Sequence, residues 1–353
     1  MAISLPIKGR GTAENPAGRF EPIAYEPDPE AAGLEDTVSP KTHCYVDSSR
    51  SIITRNDSPD VNFTYSLNIY RGCEHGCIYC YARPFHEYLG FSPGLDFETK
   101  ILVKPQAPAL LRKELMRPSW KGETLSLSGV TDCYQPLERK FELTRQCLQV
   151  MAEFRQPLGI VTKSKLVTRD LDVLSELSKH QCIVVNVSIT TLDAELARRM
   201  EPRASTPSAR LEAVAALAKA GVPVGVMVAP ILPGLNEHEI PAILEAAREA
   251  GAQTAQYIIL RLPFEVKTLF SDWLTQHYPD RKSRVLGRVR SVRDGKLNSP
   301  AFKERMRGTG PWAELINKVF KLHRQRLGYA ERGPELSSAH FRRPGERQGE
   351  LFG

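Results

Sequence analysis

The sequence predicts an α/β protein built as a partial (β/α)6 barrel of parallel strands, short of a full eight-fold TIM barrel. Three observations predict it. From about residue 63 to 262, β-rich runs alternate with amphipathic stretches. Several of these runs are almost continuously apolar, as strands covered on both faces are. The alternation repeats six times in order, which selects a parallel sheet with right-handed crossovers and falls two units short of the closed eight-fold barrel.

The six strands are expected at 63–70 (FTYSLNIY), 124–130 (TLSLSGV), 158–164 (LGIVTKS), 182–190 (CIVVNVSIT), 223–231 (PVGVMVAPI) and 253–262 (QTAQYIILRL). Helical spacing links them. In PLERKFELTRQCLQVMAEF, Phe141, Leu148, Met151 and Phe154 recur at helical intervals. TPSARLEAVAALAKAG ends on Gly221, a residue suited to the left-handed position after a helix. NEHEIPAILEAAREAG opens on Asn236 with Glu239 three residues on, the pattern of a capping box, and closes on Gly251.

Around this core, residues 1–55 are rich in Pro, Gly and acid and are expected to form an irregular arm. Residues 56–265 form the core domain, and 266–353 a basic, mainly helical extension ending in a loose tail, SSAHFRRPGERQGELFG. The net charge of +7 is unevenly placed: residues 281–353 carry 18 Lys/Arg against 7 Asp/Glu, so the rest of the chain is mildly acidic. A basic extension of this kind suits nucleic-acid phosphates or a solvated surface.

Hydrophobic residues at 41% and charged residues at 25% are those of a soluble globular chain. No run of 18 uncharged apolar residues exists, so no membrane-spanning helix is expected. The first twenty residues lack the apolar core of a secretory signal. With seven cysteines, three of them clustered, the expected compartment is a reducing cytoplasm in which they serve metal binding or catalysis.

That cluster is CEHGCIYC, which sets Cys73, Cys77 and Cys80 at C-x3-C-x2-C directly after the first expected strand. In β/α folds chemistry gathers at the C-terminal strand ends, where this loop falls. Closely spaced thiolates favour zinc, copper(I) or an iron–sulfur cluster. His75 makes a Cys3His zinc site an alternative, although it sits between the first two cysteines and not in a separated pair. A four-iron cluster usually takes four cysteines, so three leave one iron open to a small molecule. Of the other cysteines, Cys44 is expected to be a bystander, and Cys147 and Cys182 core residues.

C-x3-C-x2-C with Tyr79 just before the last cysteine resembles the signature of the radical S-adenosylmethionine (SAM) superfamily. The stretches TDCYQPLE, VTKSKLVTRDLD, SITTLD, MEPRAS and VAPILPGLNEHE resemble its spore photoproduct lyase-like group, including bacterial proteins labelled DNA repair photolyase. The resemblance spans roughly 55–330. It implies that Cys73, Cys77 and Cys80 bind a [4Fe-4S] cluster whose unique iron is chelated by SAM. One electron, from reduced flavodoxin or a ferredoxin-type donor, then cleaves the cofactor to methionine and a 5′-deoxyadenosyl radical that takes hydrogen from a substrate. It further implies cofactor contacts from Tyr79, from Thr131 and Asp132 to the amino group, from Lys163 and Ser188 to the carboxylate, from the backbone at Ala229, and from an arginine after the fourth strand, Arg203 in preference to Arg199.

Spore photoproduct lyase returns a hydrogen from a cysteine that registers here near Gly129, and Cys133 four residues on is the candidate donor. The expected substrate is a nucleic acid or nucleotide gripped by the basic extension. The alternatives are the same chemistry on a peptide or small metabolite, or a non-catalytic iron–sulfur protein.

Overall fold

The computed structural model describes residues 6–20, 40–61, 63–127 and 129–345. Ten strands are found among them: β1 (His43–Val46), β2 (Ile53–Arg55), β3 (Tyr65–Leu67), β4 (Tyr70–Arg71), β5 (Lys100–Val103), β6 (Leu125–Leu127), β7 (Leu158–Thr162), β8 (Ile183–Ser188), β9 (Val224–Ile231) and β10 (Thr254–Ile259). Seven form one sheet in the order β10-β9-β8-β7-β6-β3-β2. Six of these are parallel, and β2 alone runs antiparallel, against β3. The six parallel strands are the six expected from the sequence, and the sheet remains open between β2 and β10.

The register Tyr65↔Leu125↔Leu158↔Ile183 aligns apolar residues across the first four parallel strands. Leu67, Leu125, Leu127, Leu158, Ile160, Ile183, Val185 and Val187 are all buried there. Each such side chain contributes roughly 1.5–3 kcal/mol relative to exposure. Helices Leu143–Phe154, Leu171–Lys179, Pro207–Lys219 and Ile240–Glu249 cover the sheet through faces that include Leu148, Leu174, Leu217 and Leu244. Gly221 and Gly251 take positive φ after two of these helices, as expected.

Several local expectations are corrected. The run at 63–70 splits, because β4 leaves the main sheet and pairs with β5 in a second sheet of order β1-β5-β4. The segment read as irregular thus contributes β1 and β2, and Cys44 lies exposed on β1. Asn236 and Glu239 form no capping box. Asn236 accepts from the Leu232 amide at 2.6 Å and donates to Thr190 O at 2.6 Å, while Glu239 holds Thr191 Oγ1 and the Leu192 amide after β8.

The extension contains helices Val266–His277, Pro279–Ser291 and Gly310–Arg326. The tail beyond the last of these helices is anchored as far as residue 343. The Ser337 amide donates to Gln181 O at 3.0 Å, the Arg342 amide to Phe154 O at 2.9 Å, and Arg343 to Trp120 O at 2.6 Å. Phe341 packs over Gly122, whose Cβ position would lie 2.7 Å from its ring. The tail therefore straps the segments that lead into β6, β7 and β8, and residues 346–353 lie outside the described residues. Across the open side of the sheet, Asp60 of the β2–β3 loop ion-pairs with Arg305 and accepts the Lys303 amide.

Candidate metal centre

The cysteine loop leaves β4 through Gly72 and turns again at Gly76, with φ of +83° and +67°. Both turns use left-handed backbone that favours glycine. Cys73 and Cys77 are buried and Cys80 is partly so. Cys73 and Cys80 pack with Ala82 and Phe97, whereas Cys77 packs with Ile78, Tyr79, Met200 and Leu232, and Cys80 touches both groups. None of the three is in a disulfide.

Burial pushes all three thiols up; Cys73 reaches about 12, with Asp132 and Cys80 adding to the effect. Such thiols become thiolates when a cationic centre takes them, so the donor chemistry fits a soft metal cluster. Among the described residues no three His, Cys, Asp or Glu side chains close on a single-ion site. His75 is turned to Asp132, its Nδ1 3.4 Å from Oδ2, and not to the cysteines. The donor set therefore suits a cluster that spreads its irons among the thiols better than one Cys3His zinc ion.

A set of buried charges builds the loop. Arg83, fully buried, ion-pairs with Glu98 at 2.5 Å. Its guanidinium also donates to Cys77 O at 3.1 Å and Gly94 O at 2.9 Å. Glu98 in turn accepts the Gly11 amide at 2.9 Å, and Arg10 donates to Glu98 O at 2.9 Å. A buried pair of this kind is tolerable because nearly every lone pair and proton finds a partner.

The sequence-expected residues fall into two groups. Lys163, Ser188, Ala229 and Tyr79 meet. Lys163 follows β7, and its Nζ donates to Ser188 Oγ at 3.0 Å and Ala229 O at 3.4 Å. Ser188 Oγ donates to Ala229 O at 2.9 Å, and Lys163 Nζ lies 5.8 Å from the centre of the Tyr79 ring. The strand ends and the cysteine loop thus deliver a cation, a hydroxyl, a carbonyl and an aromatic face to one place.

Thr131, Asp132 and Arg203 are placed differently. Thr131 Oγ1 donates to Gly72 O at 2.7 Å and accepts from Gln135. Asp132 accepts from Thr162 Oγ1, the Tyr134 amide and the Lys163 amide at 2.8–2.9 Å, with His75 on its remaining side. The roughly four lone-pair sites of a carboxylate are thereby occupied, and Asp132 ties its turn to β7 and His75. Arg203 ion-pairs with Glu74 inside the cysteine loop at 3.0 Å, and its amide donates to His75 O. Arg199 pairs with Glu195 on the surface.

Cys133 does not lie open at the strand end. It is buried in the main core near Tyr70 and Tyr134, and its carbonyl accepts from Thr144 Oγ1 at 2.6 Å. Strand-end position pointed to the substrate side, but the turn at Asp132 carries the thiol inward. Cys147 and Cys182 are core residues as expected.

Sequence reasoning missed Glu201 and Arg210. The two form a buried ion pair, and Glu201 also accepts from Tyr79 Oη and Thr190 Oγ1. Burial pushes the Glu201 carboxyl up, but Arg210 and Lys163, with the Thr190 and Tyr79 hydroxyls, hold it at about 2. The signal was present: Arg210 stands at helical spacing with Ala213, Val214 and Leu217 on the buried face of its helix. A charge on that stripe requires a buried partner.

Known proteins resemble this chain in sequence and in fold. Residues 67–247 match the model of the Radical SAM superfamily. An uncharacterised protein of Mycobacterium tuberculosis (strain H37Rv) is 39% identical over 248 residues, covering 69% of this chain and 72% of that protein. An uncharacterised protein of Methanocaldococcus jannaschii is 30% identical over 216 residues, covering 61% and 77%. Among solved structures, a spore photoproduct lyase variant with dinucleoside spore photoproduct superposes with a TM-score of 0.60 at 16% identity, covering 89% of this chain and 88% of that one. At that identity the likeness is one of fold. With the cysteine loop placed at the strand ends and the family model spanning half the chain, this protein belongs to the radical SAM superfamily and is an enzyme of that class.

Proposed function

We propose that Cys73, Cys77 and Cys80 hold a [4Fe-4S] cluster with one iron free for SAM, and that Lys163, Ser188, Ala229 and Tyr79 seat the cofactor. The meeting of Lys163 Nζ, Ser188 Oγ and Ala229 O beside Tyr79 carries this reading. When bound, the pair supplies reductive cleavage of SAM to methionine and a 5′-deoxyadenosyl radical that abstracts hydrogen. The chain's own part is to bind, orient and exclude water. Lys163 offers a cation to the cofactor carboxylate, with Ser188 fixing its direction. Tyr79, held by Glu201 and Thr190, closes one side with an aromatic face. An electron enters from reduced flavodoxin or a ferredoxin-type donor in a reducing cytoplasm. No helix of the described residues is long and apolar enough to cross a membrane.

The substrate class we assign is a nucleic acid or nucleotide. Among the described residues, Arg261 and Arg307, at or against the end of β10, form no ion pair, whereas Arg293 is buried and spent on the Ile259, Leu260 and Glu304 carbonyls. Guanidinium groups without carboxylates attract phosphate.

The test is anaerobic reconstitution followed by assay of 5′-deoxyadenosine, with reductant, in the presence of oligonucleotides, peptides and metabolite pools. Stimulation by oligonucleotide is expected, and Cys77→Ala abolishes both the cluster's visible absorbance and the product. An intact cluster that yields no 5′-deoxyadenosine, with or without oligonucleotide, would overturn the reading.

A further inference from the structure

Beside the cysteine loop, three exposed aromatic rings each carry an arginine on one side. The Arg261 guanidinium lies 4.6 Å from the centre of the Tyr81 ring, that of Arg19 3.7 Å from Phe264, and that of Arg305 4.6 Å from Phe302. Tyr81, Phe264 and Phe302 are 43–53% exposed. The pairs are joined through one segment. Arg261 and Phe264 share the loop that leaves β10, and Arg305 lies close enough to act electrostatically on both Arg261 and Tyr81. Tyr81 directly follows Cys80, and its hydroxyl donates to Gly129 O at 2.7 Å, spanning the ends of the first two parallel strands. The group therefore lines the open side of the sheet, next to the loop that carries the cysteines.

Two features decide what such a surface takes. Its exposed apolar residues are aromatic, whereas the exposed aliphatics Val46, Met116, Leu315 and Leu322 belong to other elements. A protein interface concentrates aromatic rings and arginine together in one closely packed, desolvated patch. Isolated rings with arginine beside them are instead the composition of a base-stacking platform, in which every base can use a π face. Charge points the same way. Arg261 is half-buried, makes no ion pair among the described residues, and has Met306 Sδ at 3.4 Å as its hydrogen-bond acceptor. Phe264 holds its exposed phenyl on left-handed backbone, φ +49°, a conformation uncommon for a bulky residue.

We propose that Tyr81, Phe264 and Phe302, with Arg261, form a platform that binds single-stranded nucleic acid, stacking unpaired bases on the rings and pairing a phosphate with the Arg261 guanidinium, while Arg19 and Arg305, ion-paired with Glu87 and Asp60, brace the rings. This rests on the nucleic-acid reading above and sharpens it: the strand is held unpaired at the open side, and the helices of the basic extension are not the main grip. Duplex bases, stacked on one another, cannot reach the rings.

The experiment is fluorescence anisotropy of the full-length, cluster-containing protein with a labelled single strand of about 12 nucleotides, within the range one such platform covers, and with the matching duplex, over a salt series. Tighter binding of the single strand is expected. Phe264→Ala and Phe302→Ala each weaken it by roughly 5- to 100-fold, the scale of one stacked base, with the salt slope unchanged. Phe264→Trp retains affinity. Arg261→Gln weakens binding and lowers the salt slope by about one unit, as for one lost phosphate contact. Cluster absorbance and melting temperature are followed for each variant to exclude misfolding. Preference for duplex, or unchanged single-strand affinity in the Phe264→Ala/Phe302→Ala double variant, overturns the proposal. So does a double variant that keeps oligonucleotide affinity but slows cluster reduction by reduced flavodoxin, which would make the surface an electron-donor dock. Because binding is read without SAM, loss of the platform and failure of SAM cleavage are separate results.

Discussion

Gly11 lies against Gly76 so closely that a Cβ on Gly11 would sit 1.8 Å from the Gly76 carbonyl oxygen. The amino-terminal arm is thus a wall of the cysteine loop, locked by the Gly11 amide on Glu98 and by Glu98 on Arg83. A methyl group at this point forces backbone against backbone, and no flexible side chain is there to yield. Gly11→Ala is therefore expected to cost roughly 1–3 kcal/mol, the range for overpacking a well-packed site. It should also lower iron content per chain, measured by iron and sulfide analysis after reconstitution, while Gly287→Ala, in helix Pro279–Ser291 at a position open to space, leaves iron content unchanged.

Glu201 gives the site a defined acid limit. Its folded pKa of about 2 lies below the ordinary 4.5, so its contribution is fully present above pH ~4.5 and is lost as pH falls through about 2. The shift corresponds to about 3 kcal/mol in that window. Glu201→Gln leaves Arg210 buried without its anion, which at neutral pH costs roughly 3–5 kcal/mol. In urea denaturation the gap between wild type and Glu201→Gln should be widest near neutrality and narrow steadily below pH ~4.5. A gap independent of pH would show that Glu201 acts through shape alone.

How legible each feature is in the sequence depends on how local it is. Cys73, Cys77 and Cys80 declare themselves because their spacing and strand-end position are properties of one short stretch. The meeting of Lys163, Ser188 and Ala229 was readable because each lies within two residues of a strand's C-terminal end, and parallel order then brings the ends together. The surroundings of Asp132 and Cys133 were not readable because a turn decides direction, and the Asp132 carboxylate builds that turn from the Tyr134 and Lys163 amides. The contacts of Gly11 with Gly76, and of Asp60 with Arg305 245 residues away, left no periodic or compositional trace. They depend on how the arm and extension drape over a core already formed.

Cys133 should behave as packing. Cys133→Ala removes one buried heavy atom and is expected to cost about 1 kcal/mol, the scale of a single lost core methyl. Production of 5′-deoxyadenosine and of any substrate-derived product should match wild type once protein stability is equalised by working well below the melting temperature. Accumulation of an unquenched substrate radical in Cys133→Ala, seen by electron paramagnetic resonance, would restore the thiol as a hydrogen donor.

Lys163 is the sharpest test of the cofactor seat. Its ammonium reaches Ser188 Oγ and Ala229 O, with no carboxylate within ion-pair distance among the described residues. That leaves the charge available to an anionic group arriving beside Tyr79. Lys163→Met keeps the stem's packing and removes only the cation, so iron content and melting temperature should change little. SAM affinity of the cluster-containing protein, measured anaerobically by calorimetry, should fall by about 10- to 100-fold, as for one charged hydrogen bond of roughly 1.5–3 kcal/mol. Lys165→Met serves as the control, because Lys165 is exposed and pairs with Glu212 on the surface. If both variants bind SAM as wild type does, the carboxylate is held elsewhere, and Arg203, 3.0 Å from Glu74 in the cysteine loop, becomes the residue to examine.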